Sequence, residues 1–347
     1  MVRVGLVSFP MLMMLFIVGC SEDDGNSPPM IQLGSTCLLV ANMTTLSVIN
    51  LETGEVANDV FGLGIAPNDI ALVGDLVVVV NSTSNDLNFF RISGDGYMYP
   101  DGVVDVGVSQ NNNPWAAAPD GRGHLLITNM LQNSISVFSI GSRVIERTLP
   151  AGVAPEGIIV ADGFAYVANT GTDPTYTFHE GSIWKYDLDS RELVDSLQVG
   201  INPQDIQLDP LGRFHVVCTG NYADVSGEVY VVAPEPLSVV MTIGTGGAPN
   251  HVAFAPDSTA YLSAGGWSGF GDPSGVVMQY RCESGEVIHG WESPIGVGFG
   301  ASDIAVSQNG RVFVSCFSDN RVDEVREDTV YATFVVGTGP SAIALLE

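Results

Sequence analysis

Pro155-Glu156-Gly157-Ile158-Ile159-Val160-Ala161-Asp162-Gly163-Phe164-Ala165-Tyr166-Val167-Ala168-Asn169 decides the fold. A proline opens the stretch, where a strand loses no ladder hydrogen bond. A short apolar run follows, Asp-Gly reverses the chain, and a second apolar run ends in Asn. Ile183-Trp184-Lys185-Tyr186-Asp187 and Val194-Asp195-Ser196-Leu197-Gln198-Val199 then supply two further strands. Four strands in about 45 residues make one unit.

The unit recurs seven times between residue 37 and the end of the chain. Its opening block returns as Pro67-Asn68-Asp69-Ile70, Pro114-Trp115-Ala116-Ala117, Pro203-Gln204-Asp205-Ile206, Pro249-Asn250-His251-Val252, Ser302-Asp303-Ile304 and Pro340-Ser341-Ala342-Ile343. Its second strand returns as Leu39-Val40-Ala41-Asn42, Val78-Val79-Val80-Asn81 and Leu126-Ile127-Thr128-Asn129. Later copies drift to Val216-Val217-Cys218, Tyr261-Leu262-Ser263-Ala264 and Phe313-Val314-Ser315-Cys316.

Tyr166-Val167-Ala168-Asn169, Ser47-Val48-Ile49-Asn50 and the Pro155 block resemble the YVTN-type β-propeller repeat, related to quinoprotein amine dehydrogenase-like propellers. The resemblance implies an all-β, seven-bladed propeller of four-stranded antiparallel blades. The repeat starts on a second strand near Cys37 and ends on an orphan first strand, Ser341 to Leu345. The two ends together complete one blade, which closes the ring and leaves no unpaired edge.

The amino terminus reads as an export signal, with Arg3 ahead of an apolar stretch of roughly fifteen residues, too short to span a bilayer. Ile17-Val18-Gly19-Cys20 resembles a bacterial lipobox. That resemblance implies a signal peptide over 1–19 and acylation of Cys20. An acidic tether would follow over 20–33, and a single propeller over 34–347. Ser21 in place of Asp favours the outer membrane, on its periplasmic side or at the cell surface.

Net charge is −27, with 12 basic residues of which only Lys185 is lysine. Such a surface repels phosphate backbones and excludes a nucleic-acid partner, while cations and cationic partners stay compatible. Besides Cys20 there are Cys37, Cys218, Cys282 and Cys316; the register sets them in non-adjacent blades, so no disulfide is expected. No zinc-ligand spacing, haem attachment motif or nucleophile motif is present, and no catalytic residue is assigned.

Loop lengths distinguish the two faces. One face carries tight turns, with Gly94 to Gly102, containing Tyr97 and Tyr99, read as a longer exception. On the other, the loops between second and third strands lengthen in blades 4 to 6. These bring Tyr176, His179, Tyr222, Asp224, Trp267, Phe270 and Asp272 toward one sector of the rim, and the link through Phe299 joins them. Aromatic residues with carboxylates suit a protein or small extracellular ligand; pinning the long loops down is the alternative.

A second set, Asp69, Asp205, His251 and Asp303, occupies one repeat position at the channel mouth. These residues could bind a calcium-like cation, or the carboxylates could accept amides of the neighbouring blade. The expected function is a binding module, with a propeller enzyme, a metal-dependent lactonase or hydrolase or a quinoprotein-like redox protein, as the alternative. No cofactor is required by the sequence.

Overall fold

Seven antiparallel sheets form the ring in the computed structural model, which describes residues 29–107, 111–265 and 274–347. Blade 4 shows the plan, with Pro155–Ala161 innermost, then Phe164–Asn169, Glu180–Asp187 and Leu193–Ile201 at the rim. Second strands are buried throughout, as in Cys37–Ala41 and Leu76–Asn81, because both of their faces meet a neighbouring blade. Their continuous Val/Leu composition follows from that burial. Apolar clusters accordingly form between blades: Tyr166, Ala168 and Ile183 of blade 4 pack with Ile206, Phe214 and Val216 of blade 5.

The ring closes as the repeat requires. Ala342–Leu346 is the innermost strand of blade 1 and pairs with Cys37–Ala41, from Cys37 opposite Leu346 to Ala41 opposite Ala342. Leu38 and Val40 of that blade pack against Phe313 and Val322 of blade 7, so the first and last blades share a core.

The residue that ends the second strand, Asn in the early copies and Cys in two later ones, is closely packed. A glycine ending the preceding outer strand lies against this position. A Cβ on Gly152 would stand 2.6 Å from Asn169 Cγ, on Gly200 3.1 Å from Cys218 Cβ, and on Gly298 2.8 Å from Cys316 Cβ. The socket accepts a small side chain and requires the glycine. All four cysteines of the described body are free and buried.

Three expectations need correction. Tyr97 and Tyr99 lie within the strand Tyr97–Asp105, and the turn before it is a short reversal closed by Gly96 N to Ser93 O at 2.9 Å. Gly102 marks a bulge beside Phe89 and Phe90, not the end of a loop. The ordered body also reaches back into the stretch read as tether, since Ile31–Gln32 adds a fifth strand outside Tyr97–Asp105. Finally, the outer strand of blade 6 is broken into Val287–His289 and Ile295–Val297.

Candidate functional site

The start of each innermost strand and the loops between second and third strands emerge on the same face. The central channel, a cavity of about 690 Å³, opens there past Asn68, Asp69, Trp115, Asp205, His251 and Asp303. It continues past Val160, Leu208 and Phe254 toward the other face.

The fold brings the four channel residues into one group. His251 Nδ1 lies 3.7 Å from Asp205 Oδ2 and 4.0 Å from Asp303 Oδ1. Each carboxylate also braces the next blade: Asp69 accepts the Ala117 amide at 2.8 Å, Asp205 that of Val252 at 2.9 Å, and Asp303 that of Ile343 at 2.8 Å. Blade 4 has glycine at this position because a Cβ on Gly157 would meet Gln204 O at 2.8 Å.

Electrostatics follow from burial and crowding. Burial, opposed by the Ala117 amide and reinforced by the Asp303 charge, pushes the Asp69 carboxyl up to about 6. Burial also raises Asp303, with His251 offsetting part of the shift. For His251 burial acts downward, but Asp303, Asp205 and Asp69 outweigh it and raise its pKa. The carboxylates of the mouth thus favour the charged form of the His251 imidazole. Asp205 and Asp303 each accept backbone amides through both oxygens, Oδ1 from the following residue and Oδ2 from the next blade, so the set fits a brace and a cation-attracting mouth better than a closed metal polyhedron.

The long-loop sector divides by role. Ring centroids of Phe178 and Tyr222 lie 5.4 Å apart, so the loops of blades 4 and 5 meet. Tyr222 is largely enclosed, and its hydroxyl takes a bond from Gln204 Nε2 at 3.3 Å; it pins its loop down. Burial pushes its pKa up to about 12. His179 pairs with Asp173 inside its own loop at 3.2 Å, and Asp224 accepts from Asn221 at 2.8 Å. Tyr176, 75% exposed, and Phe299, 48% exposed, are free contact surface. Trp267, Phe270 and Asp272 lie outside the described residues, as does Cys20.

Two groups escaped the sequence reading. Asp209, His215 and Cys282 place ligand-type atoms within 4.8 Å of one another near the tight-turn face. Asp209 already receives His215 Nε2 at 3.0 Å and the Arg213 guanidinium at 3.0 and 2.7 Å. Burial opposes ionisation of Asp209, but those bonds outweigh it and hold its carboxyl well below the usual range. Burial, with the Asp209 charge, pushes the Cys282 thiol up to about 12. The Arg213 guanidinium, seated on Asp209 and donating to Cys282 O at 2.8 Å, ties blades 5 and 6 together at this seam.

The second group centres on Glu156. This carboxyl is 3% exposed, Oε2 has no partner, and burial pushes its pKa up to about 8. A detectable signal existed: the other repeats carry Asn68, Trp115, Gln204, Asn250, Ser302 and Ser341 there, and only this one carries an acid.

No family model and no curated protein matches the chain. Among solved structures it is similar to Kuenenia stuttgartiensis hydrazine synthase, with TM-score 0.67 and 17% identity over 80% of this chain and 88% of that one. It is also similar to a quinoprotein alcohol dehydrogenase-like protein of Bacteroides thetaiotaomicron, with TM-score 0.65 and 14% identity over 90% and 79% of the two chains. Virginiamycin B lyase of Staphylococcus aureus gives TM-score 0.61 and 12% identity over 89% and 92%. At these identities the likeness is one of β-propeller fold.

Proposed function

We propose that this is a lipid-anchored envelope propeller of the YVTN-repeat kind that binds a cationic ligand, or a cationic segment of a partner protein, on its long-loop face. One observation carries the reading: charge is segregated between the faces. Among the described residues, Arg321 is the single Lys or Arg on the long-loop face, and it is held by Asp323 at 3.0 Å. The other basic residues sit on the tight-turn half or the outer rim, as in Arg91–Asp75, Arg191–Asp120 and Arg311–Glu324. Asp69, Asp205 and Asp303 therefore face solvent-borne cations from a mouth lined by no Lys or Arg.

Exposed apolar side chains frame the same mouth. Met43, Ile65, Leu131, Tyr176, Phe299 and Phe317 are each at least 41% exposed on long-loop-face segments. An acidic centre with an apolar surround suits an amphipathic cation. For an enzyme acting on phosphorylated or acidic substrates the same mouth is repulsive. Cys20 acylation supplies the anchor in this reading, and the expected place is the outer membrane.

Calorimetric titration of the purified chain with spermidine, a basic peptide and 6-phosphogluconate is the test. The two cations should bind and weaken with salt, and Asp303→Asn should lower their affinity. Equal binding of the anion, or cation binding unaffected by Asp303→Asn, overturns the reading. For the anchor, palmitate labelling should reach the wild type and not Cys20→Ser.

A further inference from the structure

At the repeat position of Glu156, six of the seven residues are polar, and the seventh is Trp115 of blade 3. Asn250 and Ser302 show what the seams use here, a small group bonded to the next blade, through Ala301 O and Ser341 O respectively. Trp115 makes no such bond. Asn68 and Gln204, which line the channel cavity with it, are also held in place, Asn68 donating to Ser82 Oγ and Gln204 Oε1 accepting from Thr219 Oγ1. The indole is half-buried and, among the described residues, has no hydrogen-bond, ion-pair or aromatic partner.

The next repeat position divides the mouth into sectors. Asp205, His251 and Asp303 of blades 5 to 7, with Asp69 of blade 2, can carry charge, whereas Ala116 and Gly157 of blades 3 and 4 cannot. In a ring of seven, blade 3 faces blades 6 and 7, so the indole stands across the mouth from His251 and Asp303. Three carboxylates against one imidazole leave the lining negative. As ligands these carboxylates are already engaged: Asp205 accepts the Ile206 amide at 2.8 Å and the Val252 amide at 2.9 Å, and Asp303 those of Ile304 at 2.7 Å and Ile343 at 2.8 Å. A metal ion needs oxygen lone pairs directed at it. An alkylated ammonium needs only negative charge and an aromatic face.

We propose that the channel mouth takes a small molecule bearing an alkylated ammonium group, with Trp115 as its aromatic platform and Asp205 and Asp303 as its counter-charge. The proposal rests on the cationic-ligand reading of the same face and gives that ligand a chemical class. Indole is the strongest of the aromatic side chains in attracting a cation to its face. Carboxylates occupied by amides attract through their charge and ask for no N–H donor in return. The cavity of about 690 Å³ is of the size that encloses a small organic molecule. Trp115 thereby sets specificity: a metal ion or a polyamine gains from the carboxylates alone, and an alkylated ammonium gains from carboxylates and indole together.

Calorimetric titration of the full chain with choline tests the site, with dimethylbutanol as its uncharged isostere and spermidine as a polyamine. Trp115→Leu keeps apolar bulk and removes the aromatic face, Trp115→Phe keeps a ring, and Asp303→Asn alters the counter-charge. Spermidine binding also reports whether the mouth of each variant is intact. Wild type should bind choline more tightly than dimethylbutanol. Trp115→Leu should weaken choline roughly three- to thirtyfold with spermidine unchanged, and Trp115→Phe should restore most of the loss. Equal choline affinity in wild type and Trp115→Leu, with Asp303→Asn still weakening spermidine, overturns the platform and leaves the cationic face standing. Loss of spermidine binding together with choline in both Trp115 variants overturns it as well, because the indole then acts through the fold. Binding of dimethylbutanol as tight as that of choline does the same. Failure of choline and spermidine alike to bind wild type removes both readings.

Discussion

Removal of residues 340–347 is the sharpest test of how the ring holds together. The deleted segment contains the closing strand, in which Ala342 is 2% and Ile343 8% exposed, with Leu345 and Leu346 partly buried. Burying one large aliphatic side chain contributes roughly 1.5–3 kcal/mol. Ile343 with half-weight for each leucine gives about 3–6 kcal/mol. Loss of the Ile343 amide from Asp303 removes a charge-assisted bond contributing roughly 1.5–3 kcal/mol. The total is comparable with the 5–15 kcal/mol by which whole domains are stable. It also uncovers the fully buried strand Cys37–Ala41 as an open edge.

The milder Ile343→Ala should cost roughly 2–4 kcal/mol. Urea unfolding followed by circular dichroism reads both changes. Ile343→Ala is expected to lower the midpoint at unchanged slope, and the truncated chain to lack a cooperative transition or aggregate. A truncated chain with the wild-type midpoint and slope would refute closure by this strand.

Three further predictions use other parts of the molecule. Asp69, raised from 3.8 to about 6 in the folded chain, contributes stability that is fully present below pH 4 and lost as pH rises through 6. Its full extent is about 3 kcal/mol; Asp69→Asn should remove that part of the pH slope in denaturant titrations between pH 4 and 7. Gly298→Ala places a methyl 2.6 Å from Arg321 Nε and 2.8 Å from Cys316 Cβ, and should destabilise by roughly 1–3 kcal/mol in the same assay. Cys37, Cys218, Cys282 and Cys316 are buried thiols with raised pKa values, so a thiol reagent should find all four only after unfolding without reductant. Fewer than four, with a matching mass shift, would reveal a bridge.

Periodicity alone carried the fold. Pro, Asp-Gly and the Asn-terminated apolar run each report a local backbone requirement, and seven copies with split ends leave one closed arrangement. Register also placed Asp69, Asp205, His251 and Asp303 on one ring, because equivalent repeat positions become neighbours around an axis. Tyr97 and Tyr99 were misplaced because Gly102 reads as a turn residue where the strand instead needs a bulge.

What the chain could not disclose locally is decided between blades. Which carboxylate oxygen meets a neighbour's amide, and that Tyr222 pins its loop where Tyr176 stands free, depend on contacts between residues tens of positions apart. The same holds for the two faces: basic residues look evenly scattered in sequence, and only the alternation of strand direction sends nearly all of them away from the channel mouth. Glu156 shows the division most clearly. Its departure from the repeat is written in the sequence, but its burial without a partner comes from the packing of blade 4 on blade 5.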